Sequence, residues 1–480
     1  MKEPYASSSF AQLSPDTITA FIDLDRNGLG PTSKGVSDEV KRLCGLCLPS
    51  DQLPKVPLNE YYDQCVEARA RIKKDARDPR ADLQFLCYFS GFFHELRHAH
   101  DLLSTTYGQD LFFNRLNLYQ NLPAMLSLIA THQKDNPMIS VGIPILNDDI
   151  AKIALGQDFE KIITKYDSFS KGLAAFEMPR LSSYDRFSVR HLLEASATLT
   201  QFDFVFDLYG EEGYQRISQY VSGSPNSEIY LRLINKFSAQ MSDAGFRGYG
   251  ASAVHCQLIW TALNGATSHN MLAQDGVSSV VLYEALSAKL IRSVKEKRAS
   301  ESHAEWASRC CSEFFDDWGL MQAKETVIRS SKRLHERANR LSEATNEASL
   351  VGDRARATDI SQHFSNLYDD LTSHAVDHTS DFFSQRIYVY KAVAGAYPAI
   401  AVKCKRDGVI NDFESVGYSN VDFEVLNDVT FFSVLFDVLV EGRHSSGFSA
   451  LENMYYRVLC DEGWNGIKLT FHDKSVIFDW

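Results

Sequence analysis

Residues 92–101 constrain the fold of this chain more than any other stretch. They read Phe-Phe-His-Glu-Leu-Arg-His-Ala-His-Asp and lie in an apolar run whose large side chains recur every three or four residues, at Leu86, Phe89, Phe93 and Leu96. That spacing is typical of a helix with a buried face. We expect the helix to begin near Asp82, whose side chain would cap the first turn.

Two histidines of this stretch share one side of the predicted helix. His94 and His98 are four residues apart, just over one helical turn. Two imidazoles at that spacing can bind one metal ion, and Glu95 then lies beside the ion as a base. A buried polar group without a partner costs about 1–3 kcal/mol, and a metal ion would satisfy all three groups. A solvated helix face with surface histidines would give the same pattern.

The sequence His94-Glu95-x-x-His98 resembles the active-site helix of the zincin metallopeptidases. The resemblance implies that the two histidines bind Zn²⁺ and that Glu95 activates a zinc-bound water to hydrolyse a peptide bond. It covers this helix and one further helix. The longer motif of the metzincin subset is absent, because Asp101 and Ser104 stand where that motif has Gly and His.

A catalytic zinc site usually has three protein ligands and one open position. Glu194 is the main candidate for the third ligand. It is a lone carboxylate in an apolar helix, and the small residues Ala195, Ser196 and Ala197 after it would let another helix come close. This arrangement resembles the gluzincin subset, in which a Glu on a later helix completes the site. The spacing is longer than usual, with 95 residues between His98 and Glu194.

Asp101 is the other candidate ligand. It shares the helix face of His94 but lies about 7 Å further along the axis than the level of a bound ion, beyond the reach of an Asp side chain on a straight helix. We therefore expect Asp101 to accept a hydrogen bond from a ring nitrogen of His98, in support of the metal ligands. Glu194 has an alternative too, an ion pair with Arg190 on its own helix.

Hydrolysis of an amide also needs a donor for the negative charge that develops on the carbonyl oxygen. We name Tyr184 and His191 as candidates for this catalytic role beside Glu95. Tyr107 and Arg97 are further candidates for the same role. The sequence alone does not place any of these four side chains.

The helices after the motif are predicted from their periodicity and their breaks. The helix that carries Glu194 should span 182–209 and end at Gly210. A short helix at 211–221, a turn at 223–226 and a further helix at 227–244 should follow. His255, on a later apolar helix, is interpreted as a core or surface histidine.

Composition excludes some classes of protein. The chain has 480 residues, of which 44% are hydrophobic, and a formal charge of −13, which argues against a general nucleic-acid binder. Nine cysteines at irregular spacing suit reduced thiols. The N-terminus lacks the apolar core of a signal peptide, and no apolar run is long enough to span a membrane. We therefore predict a cytoplasmic protein that binds no membrane and acts on an intracellular protein or peptide.

We predict a mainly α-helical, multi-helix globular fold with a HExxH active-site helix and minor β-strand content near the termini. Four segments are expected. They are an irregular N-terminal segment (1–80), a helical metallopeptidase-like core (81–275), a helical accessory domain with charged helices (276–395) and a mixed α/β segment (396–480).

Two alternatives to a zinc peptidase remain. Glu95-Leu96-Arg97-His98 is also the Glu-x-x-His unit of di-iron carboxylate bundles, which need a second such unit. The other copy, at 441–444, is followed by Ser-Ser-Gly, which is typical of a helix end. The second alternative is a helical interaction or scaffold protein with a structural or vestigial metal site. Its protein partner would bind the C-terminal helical half.

Overall fold

A computed structural model describes residues 11–14, 19–23, 32–47, 58–75, 78–111, 141–143, 187–244, 246, 250–265, 279–345, 399–403, 413–416, 466–471 and 474–479. These residues are mainly helical, which confirms the coarser prediction of a mainly α-helical fold. The predicted catalytic residue Tyr184 and the second Glu-x-x-His unit at 441–444 lie outside the described residues. No helix among the described residues has the length and hydrophobicity needed to cross a membrane.

The motif lies on the third of the described helices. In chain order, these helices are α1 (Lys34–Cys47), α2 (Leu58–Asp75), α3 (Ala81–Leu103), α4 (Val189–Ser222), α5 (Ser227–Asp243), α6 (Gly250–Gly265), α7 (Ser279–Arg292), α8 (His303–Asp317) and α9 (Ala323–Thr345). The strands are β1 (Ala11–Ser14), β2 (Thr19–Asp23), β3 (Val141–Ile143), β4 (Ala399–Lys403), β5 (Phe413–Val416), β6 (Gly466–Phe471) and β7 (Lys474–Asp479).

The strands form two small sheets that join distant parts of the chain. In the first sheet β2 pairs antiparallel with β1 and parallel with β4, and β4 pairs antiparallel with β5. In the second sheet β6 pairs parallel with β3 and antiparallel with β7. Each sheet therefore pairs an early strand with strands from beyond residue 398.

The central contact of the described helices is between α3 and α4, which pack more extensively than any other pair of them. Phe93 of α3 stacks on Phe204 of α4 with ring centroids 3.6 Å apart, and Phe89 meets the same ring edge-on at 5.6 Å. All three side chains are buried. The apolar side chains that recur along α3 thus fill the layer between the two helices.

The chain reverses direction within α4. Gly210 has φ of 65° and a non-helical conformation that separates the arms 189–209 and 211–222. The rings of Phe202 and Tyr214 are 5.6 Å apart, although twelve residues of continuous helix would separate them by about 18 Å. The second arm therefore folds back along the first. The predicted helix end at Gly210 marks this reversal.

The start of α3 differs from the prediction. The N-cap residue is Arg80, not Asp82. The Asp82 carboxylate accepts hydrogen bonds from Arg69 of α2 at 2.7 and 3.1 Å and also pairs with Arg216 of α4. Arg69 contacts Glu212 as well, at 2.8 Å. Asp82 does not cap the helix because two guanidinium groups engage its side chain, and the network ties α2, α3 and α4 together.

Helix α6 holds the C-terminal end of α3. The indole Nε1 of Trp260 donates to the backbone oxygen of Ser104 at 3.1 Å, and the backbone N–H of Thr106 donates to the Asn264 side chain at 2.8 Å. Helix α6 also packs against α4, α7, α8 and α9. These contacts join residues on both sides of the expected border between the segments 81–275 and 276–395. The division of the chain into four segments stays a prediction.

His255 of α6 is a core histidine. It is 1% exposed, stacks on Phe237 with centroids 4.2 Å apart, and its Nε2 lies 2.7 Å from the Tyr283 hydroxyl. Burial lowers the pKa of His255 to about 3. The imidazole is therefore neutral near neutral pH and contributes to packing rather than to a charged site.

We expect acid to destabilise the protein partly through His255. In the unfolded chain this imidazole takes up a proton below its usual pKa of about 6.5, whereas in the folded protein it stays neutral until its pKa of about 3. The free energy of unfolding therefore falls with decreasing pH across that window, by about 1.4 kcal/mol per pH unit for one proton. Urea denaturation at several pH values measures the free energy of unfolding, which should change less steeply with pH in His255→Gln than in the unmodified protein. The same dependence on pH in both proteins would contradict the assignment.

Candidate metal centre

The structure brings the three predicted ligands together. The Nε2 atoms of His94 and His98 are 3.2 Å apart. Oε2 of Glu194 lies 3.2 Å from Nε2 of His94 and 3.4 Å from Nε2 of His98. Among the described residues, these three side chains form a group that could hold a metal ion. Helix α3 supplies both imidazoles, and the first arm of α4 supplies the carboxylate.

Small residues and polar contacts allow this approach. Ala195, Ser196 and Ala197, which follow Glu194, are small and fully buried, and Ser196 contacts α3. At the level of the ligands the Arg97 Nε donates to the Ser196 hydroxyl at 2.8 Å. Further along the same interface the Gln201 amide donates to the Ser90 hydroxyl at 2.8 Å. The two helices are thus joined at the ligand group and at a second point beyond it.

The Glu194 carboxyl group is ionised in this setting. Burial acts to raise its pKa, but the charges of His98 and His94 and the hydrogen bonds from both rings lower the pKa well below its usual range. Its other oxygen, Oε1, lies 3.7 Å from Nε of Arg190. The expected Arg190 contact and the histidine contacts therefore use different oxygens of one carboxylate and exist together.

The ligand group is partly accessible. The side chains of His94, His98 and Glu194 are 11%, 13% and 14% exposed, respectively. Glu95, the proposed base, is 5% exposed. The three ligand side chains therefore keep some contact with solvent, while Glu95 is largely shielded from it. Nδ1 of His94 is buried and has no hydrogen-bond partner within the described ranges.

Tyr230 of α5 is a site residue that the sequence analysis missed. Its ring meets the His94 ring edge-on, with centroids 5.8 Å apart. Burial raises the pKa of Tyr230, and the negative charges of Glu194 and Glu95 raise it further. The phenol is therefore protonated near neutral pH, and its hydroxyl forms a hydrogen bond with the Asn226 side chain. The only sequence signals for its position were Gly210 and the turn at 223–226. The chain changes direction at both places, which brings α5 back toward Glu194.

Asp101 does not take the predicted place beside His98. Its Oδ1 lies 2.6 Å from a terminal nitrogen of Arg97, and both side chains are fully buried. Within the described residues, the carboxylate pairs with this guanidinium instead of accepting from the imidazole. The reason is charge, because Arg97 places a permanent cation four residues before the buried carboxylate on the same helix.

The other catalytic candidates are not brought to the ligand group in the expected way. Nδ1 of His191 accepts the backbone N–H of Ser188 at 3.1 Å and so takes part in capping α4. Burial lowers the pKa of His191, and Arg232 and Arg190 lower it further. Its role as an oxyanion donor stays a prediction. Tyr107 is buried, and Arg97 is engaged by Ser196 and Asp101.

Binding of Zn²⁺ tests the ligand group directly. We expect the protein to bind one Zn²⁺ per chain, and His98→Ala and Glu194→Gln each to weaken binding by more than about 100-fold. Loss of an outer-shell partner typically costs about 10–100-fold, and these changes remove a direct ligand. Competition with a chromophoric chelator measures the affinity. The control His191→Ala should lose about 1 kcal/mol of helix capping but keep its affinity. Equal affinity of all four proteins would contradict the assignment.

Comparisons with known proteins leave the site to be interpreted on its own. No protein-family model, curated protein or solved structure matches the chain. The likeness to the zincins therefore rests on the His94–His98 motif and on Glu194. Function has to be inferred from these side chains and their surroundings, because a helical fold alone does not indicate a function.

Proposed function

We propose that this protein is a zinc-dependent metallopeptidase whose metal ligands are His94, His98 and Glu194. The observation that carries the proposal is the spacing of the three ligand atoms, which lie 3.2, 3.2 and 3.4 Å from one another. Tetrahedral Zn²⁺ has bonds of about 2.0–2.1 Å, so neighbouring ligand atoms lie about 3.3 Å apart. The triangle therefore matches one face of such a tetrahedron, which leaves a fourth position for water or substrate.

The types of ligand atom also favour zinc. Two imidazole nitrogens and one carboxylate form a typical ligand set of catalytic zinc, whereas Ca²⁺ and Mg²⁺ take mainly oxygen ligands. A di-iron centre needs further carboxylates, and among the residues that the structure describes the ligand group contains one carboxylate, Glu194. Fe²⁺ also binds two histidines and one carboxylate, so elemental analysis of the purified protein separates the two metals.

Glu95 is the proposed general acid and base. Zn²⁺ bound at this centre would lower the pKa of a water molecule to near 7. Glu95 follows His94 in the helix and is largely shielded from solvent, so its carboxylate can take the proton of the attacking water. It then returns that proton to the amine that leaves. Its burial keeps bulk water from competing for the same proton.

Tyr230 is the proposed donor to the carbonyl oxygen. Its ring packs against His94, and its high pKa keeps the hydroxyl protonated, so the group can donate a hydrogen bond as negative charge develops. His191 stays a second candidate for this role, because helix capping uses its Nδ1 and leaves the Nε2–H as a donor. The proposed substrate is an intracellular protein or peptide, and the proposed location is the cytoplasm.

Glu95→Gln tests the mechanism. Glutamine has the same size but cannot take up the proton, so we expect Zn²⁺ to stay bound and hydrolysis to fall by about 10²–10⁴-fold. Cleavage of a peptide library, followed by mass spectrometry, measures the activity. The control Glu228→Gln neutralises an exposed carboxylate of α5 and should leave cleavage unchanged. Undiminished cleavage by Glu95→Gln would rule out this mechanism.

Chelation separates the main proposal from the interaction-protein alternative. That alternative is favoured by two exposed apolar side chains of the C-terminal half, Trp318 (50% exposed) and Ile328 (36%), which a protein partner could cover. Removal of a catalytic ion silences cleavage and leaves the fold intact, whereas removal of a structural ion unfolds its surroundings. Circular dichroism with and without the chelator distinguishes these outcomes.

Tyr230→Phe tests the carbonyl-oxygen donor. The phenyl ring keeps the contact with His94, so Zn²⁺ affinity should not change, while loss of the hydroxyl should lower kcat by about 10²–10³-fold. Tyr214→Phe is a matched control, because Tyr214 packs against Phe202 on the reversed arm of α4. If Tyr230→Phe cleaves as fast as the unmodified protein, another group must stabilise the oxyanion.

A further inference from the structure

We infer that Arg97 is a positioning residue, which sets the distance between α3 and α4 at the metal centre and so holds Glu194 against the two histidines. This inference rests on the proposed function, because it is tested by the affinity of the protein for Zn²⁺. Arg97 is distinct from the metal ligands and from Glu95. It acts on the site through Ser196, two residues after Glu194 on the same helix.

The contacts of Arg97 join the two helices. Its side chain is fully buried, and its Nε donates to the Ser196 hydroxyl at 2.8 Å. A terminal nitrogen of the same guanidinium lies 2.6 Å from Oδ1 of Asp101, which is also fully buried. Arg97 directly precedes the ligand His98. One planar group therefore links α3 to α4 within a single helical turn of all three ligands.

The guanidinium suits this position better than other cations. A buried charge needs a partner of opposite sign, and Asp101 supplies it. The planar guanidinium of an arginine can form an ion pair with Asp101 while its Nε–H donates to Ser196, whereas a lysine ammonium is a single point on a flexible stem. Ser196 has no exposed surface, so the hydroxyl has little room to find another donor.

A shift at Ser196 would pass directly to the metal centre. Ser196 and Glu194 lie on the same rigid arm of α4, and the Glu194 carboxylate reaches the imidazoles at 3.2 and 3.4 Å. Metal sites tolerate changes of about 0.2 Å in their distances. Loosening the Arg97 contact should therefore lower metal affinity without removing a ligand.

Arg69 provides a matched control. It too is a buried arginine that joins helices, with contacts to Asp82 of α3 at 2.7 Å and to Glu212 of α4 at 2.8 Å. Asp82 lies twelve residues before His94, about 18 Å away along the axis of α3. Changing Arg69 should therefore affect the stability of the fold and not the spacing of the ligands.

The experiment compares Arg97→Lys, Ser196→Ala and Arg69→Lys in the full-length protein. We expect the first two to weaken Zn²⁺ binding by about 10–100-fold, measured by chelator competition. Arg69→Lys should lower the melting temperature of the metal-free protein but keep the affinity for Zn²⁺. Ser196→Ala removes one hydroxyl and leaves the ion pair intact, so it reports on affinity even if Arg97→Lys does not fold.

The results distinguish this inference from the proposed function. If the unmodified protein binds Zn²⁺ and Ser196→Ala binds it equally tightly, the inference is overturned while the proposed function stands. The same holds if Arg69→Lys weakens binding as much as Arg97→Lys and Ser196→Ala do, because the effect is then one of general stability. An unmodified protein that binds no Zn²⁺ overturns both.

Discussion

The close approach of α3 and α4 is the constraint on which the candidate site depends. Two packed helices normally lie about 8–10 Å apart, and the side chains between them decide the value. Ala195, Ser196 and Ala197 are small and fully buried, and Ser196 contacts Arg97 of α3 close to Glu194. Larger residues there would separate the helices and take the carboxylate away from the imidazoles. The three candidate ligands can therefore meet because the residues next to Glu194 are small.

Polar contacts fix the register of this interface. Phenylalanine side chains fill the layer between the helices, but apolar surfaces of this kind tolerate a slide along the axis. Buried hydrogen bonds tolerate it less, because a displaced polar group loses its partner without gaining water. The Arg97–Ser196 hydrogen bond lies at the level of the ligands, and the Gln201–Ser90 hydrogen bond joins the same two helices at a second point. They therefore hold one alignment of the two helices.

Sequence patterns predicted the local features of the site better than its long-range ones. The apolar period of α3 and the small residues after Glu194 are signals within single helices, and they gave the helix and the candidate ligands. The approach of Tyr230 depends on the reversal at Gly210, which periodicity does not describe. The partner of Asp101 was misjudged because the sequence did not show that Arg97 is buried beside it, where the low dielectric strengthens the attraction between charges.

The reversal at Gly210 divides the site into two parts with different origins. With φ of 65° and ψ of −163°, this backbone lies in a region that is open essentially to glycine alone. The imidazoles and the carboxylate come from chain before this point, and the phenol comes from chain after it. A side chain at position 210 would therefore disturb the approach of Tyr230 to His94 and leave the three candidate ligands together, because all three precede the reversal.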